Sequence, residues 1–294
     1  MESISSALTS LSNELVHAVQ IAGESVVRID DGTRLTASGS IWSSDGVIVA
    51  TSHGVESDEG LTVETGDGKT YDATVVGRDL ESDIALLKAS GTGFKPFESV
   101  TEVAPVGSLA LAIGRPGNAG LQATLGIVGS ITHEGTVLHT DAILYPGFSG
   151  GALIDTQGRF AGLLNVGFGR GRGGAVAAGS VAQVVDSLQR HGSVPRGYLG
   201  IGSQPVAISD ALQQKLGRTQ NVGLLIVSVE PDSPADKSGI YVGDTIVALA
   251  GTPVGDPRQL RHALGQRSAG EKVGLEILRG GDGTHLEATL GERG

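Results

Sequence analysis

The stretch Tyr145–Asp155, YPGFSGGALID, decides how the rest of the chain is read. It sets a serine between glycines, a proline just upstream and an apolar run just downstream. A nucleophilic serine needs an exposed hydroxyl, a base to take its proton, and backbone N–H donors for an oxyanion. A G-x-S-G-G turn suits that chemistry. Gly147 and the glycines after Ser149 let the backbone curl, so that the Gly147 and Ser149 N–H groups can point at one oxygen. In a glycine-rich β protein the same letters also spell an ordinary turn. The large, apolar Phe148 beside the serine is unusual on either reading.

Working outward, the sequence reads as short strands. Upstream lie "SVVRI", "RLTASGSIW", "GVIVATS", "GLTVET", "YDATVVGRD" and "DIALLKA", separated by turn signals at Asp31-Gly32, Asp45-Gly46 and Asp67-Gly68. A second set follows: "SLALAIG", "LQATLGIVGSI", "VLHTDAIL", "GALID", "FAGLLNVG" and "GGAVAAG". Many short strands with close turns predict barrels or sandwiches. Leu8, Leu11, Leu15, Val16 and Val19 repeat at helical spacing, so residues 7–22 predict an amphipathic helix. A closing helix is expected in "GSVAQVVDSLQRHG", with Ser180 and Gln183 as a capping box and Gly192 as its stop. After the linker "HGSVPRG", residues 196–294 read as a separate small module. Its helices start at Ser209 and at Asp256-Pro257, "YLGIGSQPV" is a strand, and a hairpin turns across Gly280–Gly283. The expected organisation is a helical segment 1–22, a β domain 23–192 and a module 196–294.

Bulk composition agrees. The chain has 294 residues, 39% hydrophobic and 18% charged, long enough for about two domains of the usual ~150 residues. Aromatics make up only 3%, so Val, Ile, Leu and Ala must build the core. The net charge of -11 disfavours nucleic acid and anionic lipid as partners. No apolar run reaches the ~20 residues of a membrane span. The first residues carry neither a positive n-region nor a continuous apolar h-region, so no signal peptide is expected there. There is no cysteine, hence no disulfide or thiolate chemistry.

Two further residues change the weight of Ser149. His53 ends the apolar strand "GVIVATS", and Asp83 stands just before "IALLK". Alone, the first is also a solvent-facing histidine and the second a strand-edge aspartate. Together they give the chain order His…Asp…Ser, with the first two in one strand set and the serine in the other, as a site in a crevice between two barrels requires. Ser149 would attack a carbonyl, His53 would accept its proton, and Asp83 would fix the His53 tautomer. His133 and His139 lie on strand ends with no aspartate placed to orient them. His17, His191, His262 and His285 lie on helices, in a linker and in a hairpin. No H-x-x-x-H or H-E-x-x-H occurs, so neither a metal nor another cofactor is expected.

On "SSDGVIVATSHGVE", "DGKTYDATVVGRDLESDIALLKA", "AIGRPGNAGLQATLGIVGSI", "TDAILYPGFSGGALID", "RGYLGIGSQ" and "SVEPDSPADKSGIYVGDTIVALAGTPV", the chain resembles the HtrA/Deg family of serine proteases from about residue 20 onward. The resemblance implies a mostly β fold: a chymotrypsin-like pair of six-stranded antiparallel barrels, then a PDZ domain, a β-sandwich with two helices. It implies His53, Asp83 and Ser149 as catalytic residues, with the Gly147 and Ser149 N–H groups as oxyanion hole. It implies an ATP-independent endopeptidase of unfolded or misfolded proteins, and a PDZ domain that binds apolar C-terminal peptides. Its carboxylate loop is Tyr198-Leu199-Gly200-Ile201, and its groove is walled by the helix of Leu260 and Ala263. Leu144, Leu164 and the strand Leu163–Val166 suggest an apolar pocket for Val, Ala or Leu side chains. Asp141 lies upstream, and its family counterpart is retained without specificity for basic residues.

The chain departs from the family pattern in several places. Phe148 stands where a polar residue, commonly Asn, is usual, and Gly54 where the family has a β-branched one. Leu144-Tyr145-Pro146-Gly147 replaces the usual apolar-Asn-Pro-Gly approach. The family's homotrimers often use aromatic residues ahead of the first barrel, and none precedes Trp42. By resemblance the location is periplasmic or extracytoplasmic; by the absent signal it is cytoplasmic. Phe148 also keeps a second function open, a catalytically silent, chaperone-like peptide-binding protein on the same fold.

Overall fold

The computed structural model describes residues 4–33, 36–100, 102–132, 135–168, 173–194, 197–217, 219–265 and 267–292. The chain divides into two compact units, Met1–Val194 and Pro195–Gly294. Arg34 and Leu35 in the expected second strand, His133, and Pro195-Arg196 in the linker lie outside the described residues.

In the first unit, helix α1 (Ile4–Gly23) leads into six strands: β1 (Val26–Asp30), β2 (Ala37–Ile41), β3 (Val47–Thr51), β4 (Thr62–Glu64), β5 (Thr70–Asp79) and β6 (Ile84–Ala89). They close as β1-β2-β3-β6-β5-β4, every pair antiparallel. A second closed barrel follows, ordered β10-β11-β12-β9-β8-β7. Its strands are β7 (Leu109–Gly114), β8 (Gln122–Thr132), β9 (Val137–Thr140), β10 (Ala152–Ile154), β11 (Phe160–Asn165) and β12 (Gly173–Ala177). Helix α2 (Ala178–His191) closes the unit.

The apolar runs are explained by strands buried on both faces. Along β3, Val47 and Val49 join a cluster shared by both barrels, while Ile48 and Ala50 fill the first barrel. Along β6, Ile84 and Leu86 take the shared side and Leu87 the barrel side. In the second barrel, Leu111 and Ile113 of β7, Ala152 of β10 and Leu163 of β11 face the shared cluster, while Ala112, Leu153 and Leu164 fill the barrel. Period-2 alternation between two apolar compartments leaves no polar face, so the strands read as continuous apolar segments. Val181, Val185 and Leu188 of α2 complete the shared cluster.

Both helices differ from their sequence reading. In α1, Leu15 and Val19 pack on the shared cluster, and the wholly buried residues are the small Ala18 and Ala22. Leu8 (63% exposed), Leu11 and Val16 lie in solvent. The helix approaches through alanines: its Ala18 carbonyl oxygen lies 2.9 Å from where a Cβ on Gly158 would be. The expected Ser180–Gln183 capping box is absent. Helix α2 starts three residues earlier, with Ala177 at the N-cap and no side-chain cap, because β12 runs straight into it and Ala177 N–H is already bound to Thr136 O. Gly192 does end the helix, left-handed at φ 69°, with its N–H on Leu188 O.

The second unit comprises β13 (Gly197–Tyr198), β14 (Ile201–Ala207), α3 (Asp210–Leu216), β15 (Val222–Val229), α4 (Pro234–Lys237), β16 (Thr245–Leu249), β17 (Thr252–Pro253), α5 (Pro257–Gly265), β18 (Lys272–Arg279), β19 (Asp282–Thr289) and β20 (Gly291–Glu292). The main sheet runs β14-β15-β16-β18-β19, and β13 pairs β20. Ser209 caps α3, and Asp256 Oδ1 accepts the Arg258 N–H at the start of α5. The hairpin turns on Gly280 and Gly281 alone, at φ 60° and 87°; Asp282 already pairs with Arg279. "YLGIGSQPV" is two strands rather than one. Gly200 sits at φ 79°, so the chain leaves β13 and restarts at Ile201. The short α4, capped by Ser233 with Pro234 in its first turn, is a third helix where two were expected.

Candidate active site

Each barrel delivers its part of the site at a strand end. β3 ends in a 3₁₀ turn, Ser52–Gly54, that carries His53. The Ser52 N–H donates to Asp83 O at 2.9 Å, locking this turn to the start of β6. Asp83 itself is left-handed at φ 57°, a conformation an L-residue holds only when its surroundings impose it. The imposing contacts are visible. Asp83 Oδ1 accepts the His53 backbone N–H (2.9 Å), and Oδ2 accepts His53 Nδ1–H and the Asn165 side-chain amide (2.8 Å). With Nδ1 bearing the proton toward the carboxylate, Nε2 is left as an acceptor, and it lies 3.1 Å from Ser149 Oγ. Ser149 Oγ in turn accepts the Val166 N–H at 3.2 Å. His53, Asp83 and Ser149 thus form one hydrogen-bonded line, and His53 is the one described histidine that touches either partner.

The electrostatics follow from these bonds. The hydrogen bond to Asp83 raises the His53 imidazole above its ordinary value, against partial burial that lowers it. Burial raises the Asp83 carboxyl. The His53 side-chain and backbone bonds and the Asn165 amide outweigh that and hold it below the usual carboxylate value. His53 is about half-exposed and Ser149 only 6% exposed, so the base borders solvent while the hydroxyl is sheltered.

Two glycines of the Ser149 turn are held at positive φ in places where a side chain would also clash. Gly147 (φ 88°) would place a Cβ 2.7 Å from Pro116 Cβ, and Gly150 (φ 84°) would place one 2.0 Å from Ser38 O. Between them Phe148 is wholly buried, in the second-barrel core, edge-on to Tyr145 at 5.6 Å. Its N–H donates to Tyr145 O (3.0 Å) and its carbonyl accepts Gly151 N–H (2.9 Å). The flanking Gly147 and Ser149 N–H groups have no protein acceptor among the described residues. Gly54 has an equally local reason: a Cβ there would meet Thr51 Oγ1 at 2.7 Å and Ala37 Cβ at 3.1 Å.

The expected pocket residues separate. Leu144 is half-buried against the second-barrel core, next to Gly173. Leu164 is wholly buried inside that core, and its backbone reaches the site by accepting Gly150 N–H and donating to Gly151 O. Asp141 accepts the Ile127 N–H at 2.7 Å. Asn165, Ser38 and Ser40 escaped the sequence reading. The one available sign was a polar residue at the end of "FAGLLN" and two more inside "ASGSI".

In the second unit, Leu199 and Leu260 are buried in the same core, with Ile201 and Ala263 packed on it. Leu199 O accepts Ala235 N–H and Gly200 O accepts Glu230 N–H, while the Leu199 and Gly200 N–H groups have no protein acceptor among the described residues. Ile201 opens β14, the terminal strand of the main sheet. Tyr198 donates its hydroxyl to Glu230.

Comparison with known proteins agrees with this architecture. Residues 37–163 match the trypsin-like peptidase domain and residues 197–290 the PDZ domain. A probable periplasmic serine endoprotease, DegP-like, of Ectopseudomonas mendocina is 33% identical over 266 residues, covering 86% of this chain and 56% of that protein. The chain spans just over half the length of such DegP-like relatives. Serine endoprotease DegS of Escherichia coli K12 is 30% identical over 276 residues, covering 88% of this chain and 77% of DegS. Among solved structures, a serine endoprotease from Yersinia pestis superposes with TM-score 0.78 at 28% identity, covering 95% of this chain and 98% of that one. The HtrA-type protease AlgW with a decapeptide gives 0.79 at 26% identity, covering 95% and 99%. With the two domains in this order and DegS matched over most of its length, the chain belongs to the HtrA/Deg family of serine endoproteases.

Proposed function

We propose that the chain is a serine endopeptidase of unfolded polypeptides in which His53, Asp83 and Ser149 perform the chemistry. The observation that carries this is the 3.1 Å approach of His53 Nε2 to Ser149 Oγ, with Nδ1 held on Asp83. The Ser149 hydroxyl proton passes to Nε2 as Oγ bonds to the scissile carbonyl carbon. The carbonyl oxygen becomes an oxyanion, received by the Gly147 and Ser149 N–H groups. The C–N bond then breaks, the amine leaves with the proton from His53, and an acyl-serine remains. Water repeats the cycle: His53 takes its proton, hydroxide oxygen bonds to the acyl carbon, and Ser149 leaves with the proton. Asp83 stabilises the imidazolium in both halves.

The substrate side is apolar on this reading. Ile143, Tyr145 and Val166, around the Ser149 turn, are 62%, 46% and 39% exposed, which supports cleavage after small or medium apolar residues beside Leu144. The PDZ unit receives an apolar C-terminal peptide. The uncommitted N–H groups of Leu199 and Gly200 hold its carboxylate, and its backbone adds to the open edge of β14 alongside α5. The family's trimeric assembly extends to this chain, with Leu8, Leu11 and Val16 of α1 as available apolar surface; sedimentation as a monomer at assay concentration overturns that part.

Ser149→Ala tests the central reading. Casein hydrolysis should fall by roughly 10⁴-fold or more with the fold unchanged. Retained hydrolysis overturns it. Absence of fluorophosphonate labelling at Ser149 in the wild type, with peptide binding intact, would make the chain a peptide-binding protein instead. Casein hydrolysis with and without an apolar C-terminal peptide reports the PDZ part: no change in rate and no binding refutes it.

A further inference from the structure

The Ser149 turn is gripped from β2 by two buried serines. Ser38 N–H donates to Ser149 O (3.1 Å) and Ser38 Oγ donates to Gly147 O (2.7 Å), so one residue brackets Phe148 on both sides. The same Oγ accepts the Arg115 N–H at 2.9 Å. Ser38 is 0% exposed, so water does not compete for these bonds. The Gly147 oxygen belongs to the peptide plane joining Gly147 to Phe148, and the N–H of that plane donates to Tyr145 O at 3.0 Å. With its oxygen and its N–H both engaged, the plane cannot rotate without breaking two buried hydrogen bonds. Its fixed orientation leaves the Gly147 and Ser149 N–H groups, one on each side, uncommitted.

We propose that Ser38 is a positioning residue for the oxyanion site: its hydroxyl locks the Gly147–Phe148 peptide plane so that both flanking N–H groups remain available to the oxyanion. This rests on the endopeptidase reading above. Preorganisation of donors, as well as their number, sets how much an oxyanion is stabilised, because reorienting a peptide during the reaction would add to the barrier. The hydroxyl does not touch substrate; it acts through Gly147. Arg115 extends the same brace. Its N–H meets Ser38 Oγ, while its guanidinium donates to Val26 O (2.6 Å) and Gly23 O (2.9 Å), at the beginning of β1 and the end of α1.

Ser40 supplies an internal control. It is the same residue type on the same strand, 1% exposed, and its Oγ donates at 3.0 Å to Gly150 O, on the far side of the nucleophile. A general loosening of the turn would follow from either serine, whereas loss of oxyanion preorganisation should follow from Ser38 alone. The test compares full-length wild type, Ser38→Ala and Ser40→Ala in peptide hydrolysis and in inhibition by a peptide aldehyde, whose tetrahedral adduct places an oxygen where the oxyanion forms.

Ser38→Ala should lower kcat roughly tenfold to hundredfold, with KM within about twofold. Aldehyde affinity should weaken by a similar factor, and the pH midpoint of the acid limb should not move, since the His53–Asp83 bond is untouched. Ser40→Ala should change kcat less than about threefold. Ser38→Cys, similar in size with a weaker donor, should fall between wild type and Ser38→Ala, and serves if the alanine variant does not fold. The proposal is overturned if Ser38→Ala keeps wild-type kcat and aldehyde affinity. It is equally overturned if both serine variants lose kcat in step with melting temperature. If the wild type neither turns over nor labels with a fluorophosphonate, the endopeptidase reading fails and this one falls with it; a labelled wild type with an unaffected Ser38→Ala sinks only the present proposal.

Discussion

Replacing Phe148 with alanine should destabilise the first unit without touching any group of the hydrogen-bonded line. Phe148 is 0% exposed, lies in the second-barrel core and makes an edge-to-face contact with Tyr145 at 5.6 Å. Truncating so buried a phenylalanine costs about 3–5 kcal/mol, of which the aromatic pairing is about 1 kcal/mol. In a unit of this size 1 kcal/mol moves the melting temperature about 2–4 °C, so a loss of about 4 kcal/mol lowers it roughly 8–16 °C. Trp42, the single tryptophan, packs edge-on against Phe160 at 6.1 Å in the first unit, so its fluorescence reports that unit's unfolding. Phe148→Asn, the residue common in the family, should lose at least as much as the alanine variant. The socket that receives it is lined by Gly114 and by apolar side chains of the second barrel, and the one hydroxyl bordering it, Ser38 Oγ, is already engaged with Gly147 O and Arg115 N–H. A fluorescence midpoint for Phe148→Asn within about 2 °C of wild type, at most about 1 kcal/mol on this scale, would refute the idea that Phe148 anchors the turn by core packing.

Two further outcomes follow. On the endopeptidase reading catalysis needs His53 neutral, and the hydrogen bond to Asp83 raises its pKa, so kcat/KM should climb with pH along a limb above the ordinary histidine value. Asp83→Asn should move that limb downward and cut kcat by roughly 10⁴-fold, and a limb that stays in place would contradict the bonding described. In the second unit, Asp244 is 2% exposed and accepts from Arg279 and from the Tyr241 N–H; the Arg279 bond is the main cause holding its carboxyl below the usual value, against burial that raises it. Its contribution is therefore present above the unfolded carboxylate pKa and lost as pH falls through the lower folded value. Asp244→Ala should cost about 2 kcal/mol, less than a fully buried pair because Arg279 reaches solvent, and hydrogen exchange of β15 and β18 amides at neutral pH that matches wild type would count against it.

The sequence was most legible where chemistry and periodicity coincide. Short apolar strands, positive-φ glycines and the His…Asp…Ser order are local signals, and Ser209, Asp256 and Gly192 punctuate the helices where their side chains or backbone freedom require. What was hidden depends on residues far apart. Asn165 reaches Asp83 across 82 positions, and Ser38 reaches Gly147 across 109. No pattern within a strand announces such a partner. The capping box at Ser180 was misread because the preceding strand, rather than a side chain, sets the start of α2. The place of Phe148 was not legible either, because the core that receives it is assembled from all six strands of the second barrel.

The strands buried on both faces have a consequence for the order of events in folding. His53 and Ser149 are 96 residues apart, one just past β3 and the other just ahead of β10, two strands that send side chains into the cluster both barrels share. Such distant contacts close late, because the chain entropy of the intervening loop must be lost first. Reactivity toward a fluorophosphonate should therefore appear during refolding no earlier than the burial of Trp42. On the endopeptidase reading, a newly made chain would be exposed to cleavage while still unable to cleave, and would acquire its nucleophile only in the step that removes it from the pool of unfolded polypeptides.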